Sequence, residues 1–375
     1  MRSILLLAAI GFSLFPHSGN KEGSGRAAIE NVSVERSPST VIWGSPLDGG
    51  AISALFIAPQ FALRDVGELA LRLDLKYDVA SVAGVTGPWS EDAVASLRSH
   101  LAEHHDVIVI GNIDLSYLPE DVLDSIAGSV KAGSGLLLAH YRENIPKKFD
   151  EFLNGLAPAD NAEGITRGIA ESMTPEWPMS LGFVKASRCE QGRIVELNYA
   201  GGWPASHFLM LALSEPLKAR PEFFDTYLSL VCRAARWAAG RAPQNWIASV
   251  ALADVSGPSD AEIPPDLPRE YVQEMRDSMM APLYHSFRVN LNGPAANEYD
   301  VQVQVREPNR GLLRSYPNLP GIAKGATGYS VDLPIGPGKY FLDLWLLRKK
   351  KVVEWHSEAI TVSGWPERSE EHTSE

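Results

Sequence analysis

The chain has 375 residues, enough for two domains with complete apolar cores, and 45% of them are hydrophobic against 21% charged, the balance of a folded protein. Its 46 acidic and 34 basic side chains leave a formal net charge of −12. That excess sets nucleic acid aside as a partner, because phosphate binding needs a basic face, though it leaves room for a local basic patch.

Residues 1–19 read as a signal peptide, with Arg2 as the basic start and residues 4–15 as a short apolar run. The run is shorter than the roughly 20 residues of a membrane-crossing helix. No A-x-A cleavage pattern follows, so a retained N-terminal anchor is the alternative. Either way an exported protein is expected: periplasmic, extracellular or held at a membrane. Residues 20–40 are small and polar and read as a linker. In such a compartment Cys189 and Cys232, the only two cysteines, could form a disulfide; two buried thiols are the other reading, and both stand open.

From residue 41 to about 241 strands alternate with helices. Residues 51–58 (AISALFIA) are an apolar run of strand length, bounded by glycines and Pro59. Val66, Leu69, Ala70 and Leu73 recur at helical spacing, and residues 77–82 give a second strand. Ser90 is placed to cap a helix with Val94, Leu97 and Leu101 on one side. DVIVIGN, residues 106–112, is apolar at successive positions, the mark of a strand buried on both faces. Pro119 suits a first helical position, with Glu120 and Asp121 at the positive end of the dipole. Val122, Ile126 and Val130 form that helix's apolar stripe, Gly133 ends it, and Gly135 is expected to free the turn into GLLLAHY. Residues 192–199 (GRIVELNY) are a further strand. Pro221 opens a helix striped by Phe224, Tyr227, Leu228, Val231 and Ala235, and Gly240 ends it. The alternation implies a mostly parallel sheet covered on both faces.

After Pro243 short runs with period-two alternation follow, separated by Gly, Pro and Asn. Val301, Val303 and Val305 alternate with Gln302, Gln304 and Arg306. Residues 242–366 are expected to form an all-β sandwich of immunoglobulin-like class, interrupted by a Pro-rich and acidic insert at 255–280. Arg348 to Lys351 read as a charged hairpin turn, and Trp345 and Trp355 as core, an aromatic carbohydrate platform being the minority alternative. Residues 367–375 form a tail; its RSEEHTSE string resembles the translation of a sequencing-adapter oligonucleotide, so the natural chain is expected to end differently and to be truncated here.

HDVIVIGNIDLSYLPEDVLDSIAGSVKAGSGLLLAHY, then CEQGRIVELNY and FFDTYLSLVCRAARWAAGR, resembles the class I glutamine amidotransferase-like fold, and within it the ThuA-like group. The resemblance covers most of residues 51–240 and implies a flavodoxin-like parallel sheet. The family's amidotransferases use a Cys on a tight elbow with a His and a Glu. No G-x-C-x-G occurs here, so glutaminase activity is not expected. The AGGWPASH segment departs from the ThuA-like Gly-His pair, which leaves His207 without a matching role.

Ligands of open α/β sheets bind at the carboxyl ends of strands. That rule gathers Gln60, Asn112, Asp114, His140, Tyr141, Arg142, Asn198 and Tyr199 around one crevice as ligand-binding candidates. His140 and Glu143 are the candidates for proton transfer; a histidine satisfied by backbone groups, beside an Arg142–Glu143 surface pair, is the structural alternative. His100, His104 and His105 are read on one helix, as a solvated face rather than a metal set. No cofactor and no metal is expected. The expected function is an exported, non-catalytic binding or assembly module, with a small molecule or carbohydrate as ligand and a downstream domain or protein as further partner. The alternatives are a ThuA-like enzyme acting on a sugar derivative, and the accessory N-terminal part of a larger enzyme.

Overall fold

The computed structural model describes residues 43–59, 63–82, 89–111, 113–139, 145–160, 162–166, 184–197, 221–256, 284–307, 311–336 and 338–362. The expected signal peptide, linker and tail, and the acidic insert beyond Ser256, lie outside them. All the described residues belong to one compact unit, Pro38–Glu375. Among them no helix is long and apolar enough to cross a membrane.

The first half is a mixed α/β layer. Its strands are β1 (Ile52–Pro59), β2 (Leu75–Val82), β3 (Val107–Gly111), β4 (Gly135–Ala139), β5 (Ala157–Pro158), β6 (Val184–Cys189) and β7 (Gly192–Leu197), in the spatial order β2-β1-β3-β4-β7-β6-β5. The first five strands in that order are parallel, whereas β6 returns antiparallel to β7 and β5 pairs antiparallel with β6. The helices are α1 (Leu63–Arg72), α2 (Glu91–Leu101), α3 (Glu120–Lys131), α4 (Lys147–Asn154), α5 (Glu163–Thr166) and α6 (Pro221–Ala238), with a single 3-10 turn at Leu115–Tyr117.

Period-two alternation assigns each strand residue to a face. Ala54, Phe56, Val107, Val109, Leu137 and Val195 join one buried cluster with residues of α1 and α6. Leu55, Ile57, Ile108, Ile110, Leu136 and Ile194 join another with residues of α2, α3 and α4. The unbroken apolar runs are thus explained, since both sides of each strand are covered. Ser90 caps α2 as expected, its Oγ accepting from Ala93 N at 3.2 Å. Pro119 stands one position before the first helical residue, and Val122 N and Leu123 N donate to its carbonyl at 3.0 and 3.2 Å.

Gly133 does close α3, with φ +119°. Gly135 has a different role from the one expected. It is the first residue of β4, and a Cβ there would lie 2.3 Å from the backbone carbonyl of Ala238, so glycine lets the end of α6 touch the sheet. Helix α6 also exceeds its expected stripe: every residue from Leu228 to Ala238 is buried. A helix buried all round must be covered on its second side too.

The β region supplies that cover. Its strands are β8 (Ile247–Ser256), β9 (Tyr284–Leu291), β10 (Tyr299–Glu307), β11 (Gly311–Ile322), β12 (Gly328–Pro334), β13 (Gly338–Arg348) and β14 (Lys351–Val362). They form two antiparallel sheets, β11-β10-β13-β14 and β12-β9-β8. Both sheets contribute to one apolar cluster, with Phe287, Val289 and Leu333 from the smaller sheet and Val301, Val303, Val305, Leu342 and Leu344 from the larger. The β13–β14 turn is the charged hairpin expected: Lys349 and Lys350 have φ of +51° and +64°, the left-handed pair of a two-residue loop.

Trp345 and Trp355 are core residues, but not of this cluster. They are cross-strand partners and, with Val352, join the α/β cluster that holds α6. The larger sheet is therefore covered on both faces. Residues 43–48 tie the two halves together: Gly44 bridges to Leu73 and Leu47 to Val352, while Trp345 Nε1 donates to the Trp43 carbonyl at 2.7 Å. The expected boundary at 241/242 marks a change in the type of secondary structure, while the packing runs on across it.

Candidate functional site

The parallel strands deliver their carboxyl ends to one edge. Gly111 of β3 stands opposite Ala139 of β4, and Ala139 opposite Leu197 of β7; β1 runs alongside, with Ile57 opposite Ile110. The chain enters Gln60, Asn112, His140 and Asn198 from these four ends. Those residues lie outside the described ones, as do Tyr141, Arg142, Glu143, Tyr199 and His207.

Asp114 is the candidate that is described. It caps the 3-10 turn, its Oδ1 accepting from Ser116 N at 2.9 Å and from Ser116 Oγ at 2.6 Å. Buried Ile113 and Leu115 flank it and pin the turn beneath the sheet edge. The carboxylate thus shapes the start of the β3–α3 connection.

The histidine reading needs correction. Helix α2 ends at Leu101, so His104 and His105 lie past it and share no i, i+4 face with His100. His105 is buried, 3% exposed, and its Nε2 lies 3.3 Å from Asp78 Oδ2. Among the described residues no group of three or more His, Cys, Asp or Glu is placed to hold a metal.

The cysteines decide more. Both are free and buried. Cys232 sits in the cluster on one face of the sheet and Cys189 in the cluster on the other, which rules out the disulfide alternative. Burial pushes the Cys232 thiol up to about 12. It also raises the Cys189 thiol, helped by the negative charge of Glu190. Cys189 ends a strand that turns straight into a hairpin, and Cys232 lies inside α6. Neither stands at a helix N-terminus, where a thiolate is stabilised.

A buried polar group at the junction of the two halves escaped the sequence reading. The Arg72 guanidinium lies over the Trp43 ring at 4.6 Å, and that of Arg236 over Trp355 at 4.9 Å. Arg236 Nη2 donates to the Val353 carbonyl at 2.8 Å, and Nη1 lies 3.7 Å from Glu354 Oε2. Arg233, Trp237 and Trp246 join Arg236 and Glu354 around a cavity of about 30 Å³. That volume is on the scale of a water molecule, and the group's polar contacts run between the two halves, which it joins. The arginines on α6 would have been legible only as charges interrupting an otherwise apolar helix. A second buried pair is Arg306–Asp343, joined at 2.5 and 2.9 Å and completed by Ser357 Oγ at 2.6 Å from Asp343.

No protein-family model matches the chain, and no curated protein matches it. Three β-glucosidases are among the solved structures with some likeness. That of Listeria innocua is 10% identical, with a TM-score of 0.24, over 86% of this chain and 48% of that one. One from intestinal bacteria, involved in saponin metabolism, is 8% identical, with a TM-score of 0.21, over 83% of this chain and 51% of that one. One from Erythrobacter marinus is 10% identical, with a TM-score of 0.22, over 85% of this chain and 48% of that one. The chain spans about half the length of these structures, and likenesses this slight carry no argument about fold or activity.

Proposed function

We propose that this chain is an exported, non-catalytic module of the class I glutamine amidotransferase-like fold, which binds a carbohydrate or other small molecule at the carboxyl edge of its parallel sheet. The observation that carries the reading is the fate of the two cysteines. The chemistry of that fold runs through a thiolate on an exposed elbow, and the only two thiols of this chain are buried in apolar clusters on opposite faces of the sheet. The fold reading draws support from the order β2-β1-β3-β4-β7, which matches the flavodoxin-like order 2-1-3-4-5. The paired antiparallel sheets suit an immunoglobulin-like partner layer.

A second reading keeps catalysis. The strands leading into Gln60, Asn112, His140 and Asn198 end on one edge, which favours a ThuA-like enzyme acting on a sugar derivative with His140 as the proton-transfer group. The test is to incubate the full chain with glutamine and with a panel of sugars, following ammonia release, sugar turnover and the melting temperature. The binding reading expects thermal stabilisation by a sugar without turnover. Turnover that disappears in His140→Ala overturns it in favour of the enzyme.

A further inference from the structure

Strand β2 is the edge of the seven-stranded sheet, and β1 is its partner there. Gly44 N donates to Arg72 O and Ile52 N to Asp74 O, both at 2.8 Å, so even-numbered carbonyls serve the β1 side of this segment. In a parallel ladder the N–H and C=O of one residue point the same way and those of its neighbours the opposite way. Leu75, Tyr77, Val79 and Ser81 therefore turn their backbone groups outward, and among the described residues no hydrogen bond between backbones reaches them from that side.

The side chains fit this edge to a particular partner. Tyr77 is 36% exposed, its ring edge-on to Phe56 at 6.0 Å, and the half-buried Leu75 and Val79 flank it on the same face. Lys76 and Asp78 lie on the other face, and the Asp78 side chain is 48% exposed even with His105 beside it. Open strands of this length are normally blunted by charged side chains, prolines or bulges. Leu75 to Val79 has no proline and no bulge, and its two charges, Lys76 and Asp78, are of opposite sign, so they can pair with a second copy instead of repelling it.

We propose that β2 is a self-association edge, where a second copy of this chain adds its own β2 antiparallel about a two-fold axis at Tyr77. That register sets Tyr77 against Tyr77, Leu75 against Val79 and Lys76 against Asp78 of the other copy, so both ion pairs form across the axis. Shifting the axis by one residue, to Lys76 or to Asp78, opposes like charges, which disfavours the two adjacent registers. Tyr77 contributes a hydrogen-bonded pair, and the charged residues fall at the closer, non-bonded positions. The edge lies apart from the strand ends of the ligand site, so the proposal stands whatever the chain binds.

The test is sedimentation velocity of the full chain over a range of concentrations. The wild type is expected to reach twice the mass of one chain. Lys76→Asp places acids opposite one another twice and should raise the dimer dissociation constant about tenfold or more. The double exchange Lys76→Asp with Asp78→Lys restores the pairs and should restore the dimer. Tyr77→Pro removes an outward N–H and leaves the β1 ladder intact, so it should give a folded monomer with an unchanged far-UV spectrum. If that variant fails to fold, the charge exchange carries the test alone. A wild type that stays monomeric overturns the proposal, and so does a dimer indifferent to Lys76→Asp. A monomer whose Tyr77 amide is protected from hydrogen exchange also overturns it, by showing that the chain covers its own edge.

Discussion

Arg236 of α6 and Glu354 of β14 face each other at 3.7 Å with their side chains 4% and 1% exposed, an ion pair sealed between the α/β layer and the larger β-sheet. Its formation is no measure of stability, because two charges leave water to make it. Removing one partner is a different matter. Glu354→Leu should cost about 3 kcal/mol in urea unfolding, because the Arg236 charge stays buried. Arg236→Met together with Glu354→Leu should recover most of that loss.

His285 on β9 is 1% exposed, and neither ring nitrogen has a hydrogen-bond partner among the described residues. Burial holds its pKa below the ordinary 6.5. As pH falls through 6.5 the unfolded chain takes up a proton that the folded chain refuses, so stability falls with pH below that point and is complete above it. The wild-type melting temperature should decline from pH 7.5 to pH 5 more steeply than that of His285→Leu.

Cys189 and Cys232 should be silent towards Ellman's reagent at pH 8 in the folded protein, given the raised pKa of both thiols and their burial. Two thiols per chain should react in denaturant without prior reduction. Titration of no thiols under those conditions would mean that the cysteines are bonded.

The glycines separate by sign. A Cβ on Gly192 would lie 2.0 Å from the Val130 carbonyl oxygen, and one on Gly135 2.3 Å from that of Ala238, so alanine at either should cost about 3 kcal/mol. Gly67 in α1 and Gly128 in α3 have open space, and alanine there should stabilise by about 0.5 kcal/mol in the same assay.

The sheet was legible wherever a strand is covered on both faces, as at Val107–Gly111 and Gly135–Ala139, because the apolar run is then unbroken. Helix α4 was not, having only Phe149 and Leu153 to bury in eight residues. Edge strand β11 was hidden by Pro317 and Pro320, which an outer strand tolerates and a central one does not. The junction was obscured most, because Arg72, Arg233 and Arg236 look like a solvated face and are buried. As for the candidate site, the ends of apolar runs place its residues along the sheet, and Asp114 alone of the nine is described, as the cap of a turn. Residue types at strand ends indicate where a ligand would sit without fixing its chemistry.

The second face of the larger β-sheet has a thermodynamic consequence. A fragment ending at residue 241 would leave Trp43, Leu47 and the outer side of α6 in water, and one beginning at 242 would bare Trp345, Val352 and Trp355. Neither half is a cassette that could be cut out and grafted elsewhere. Heating should therefore melt both as one cooperative block, a single calorimetric peak whose van't Hoff and measured enthalpies agree.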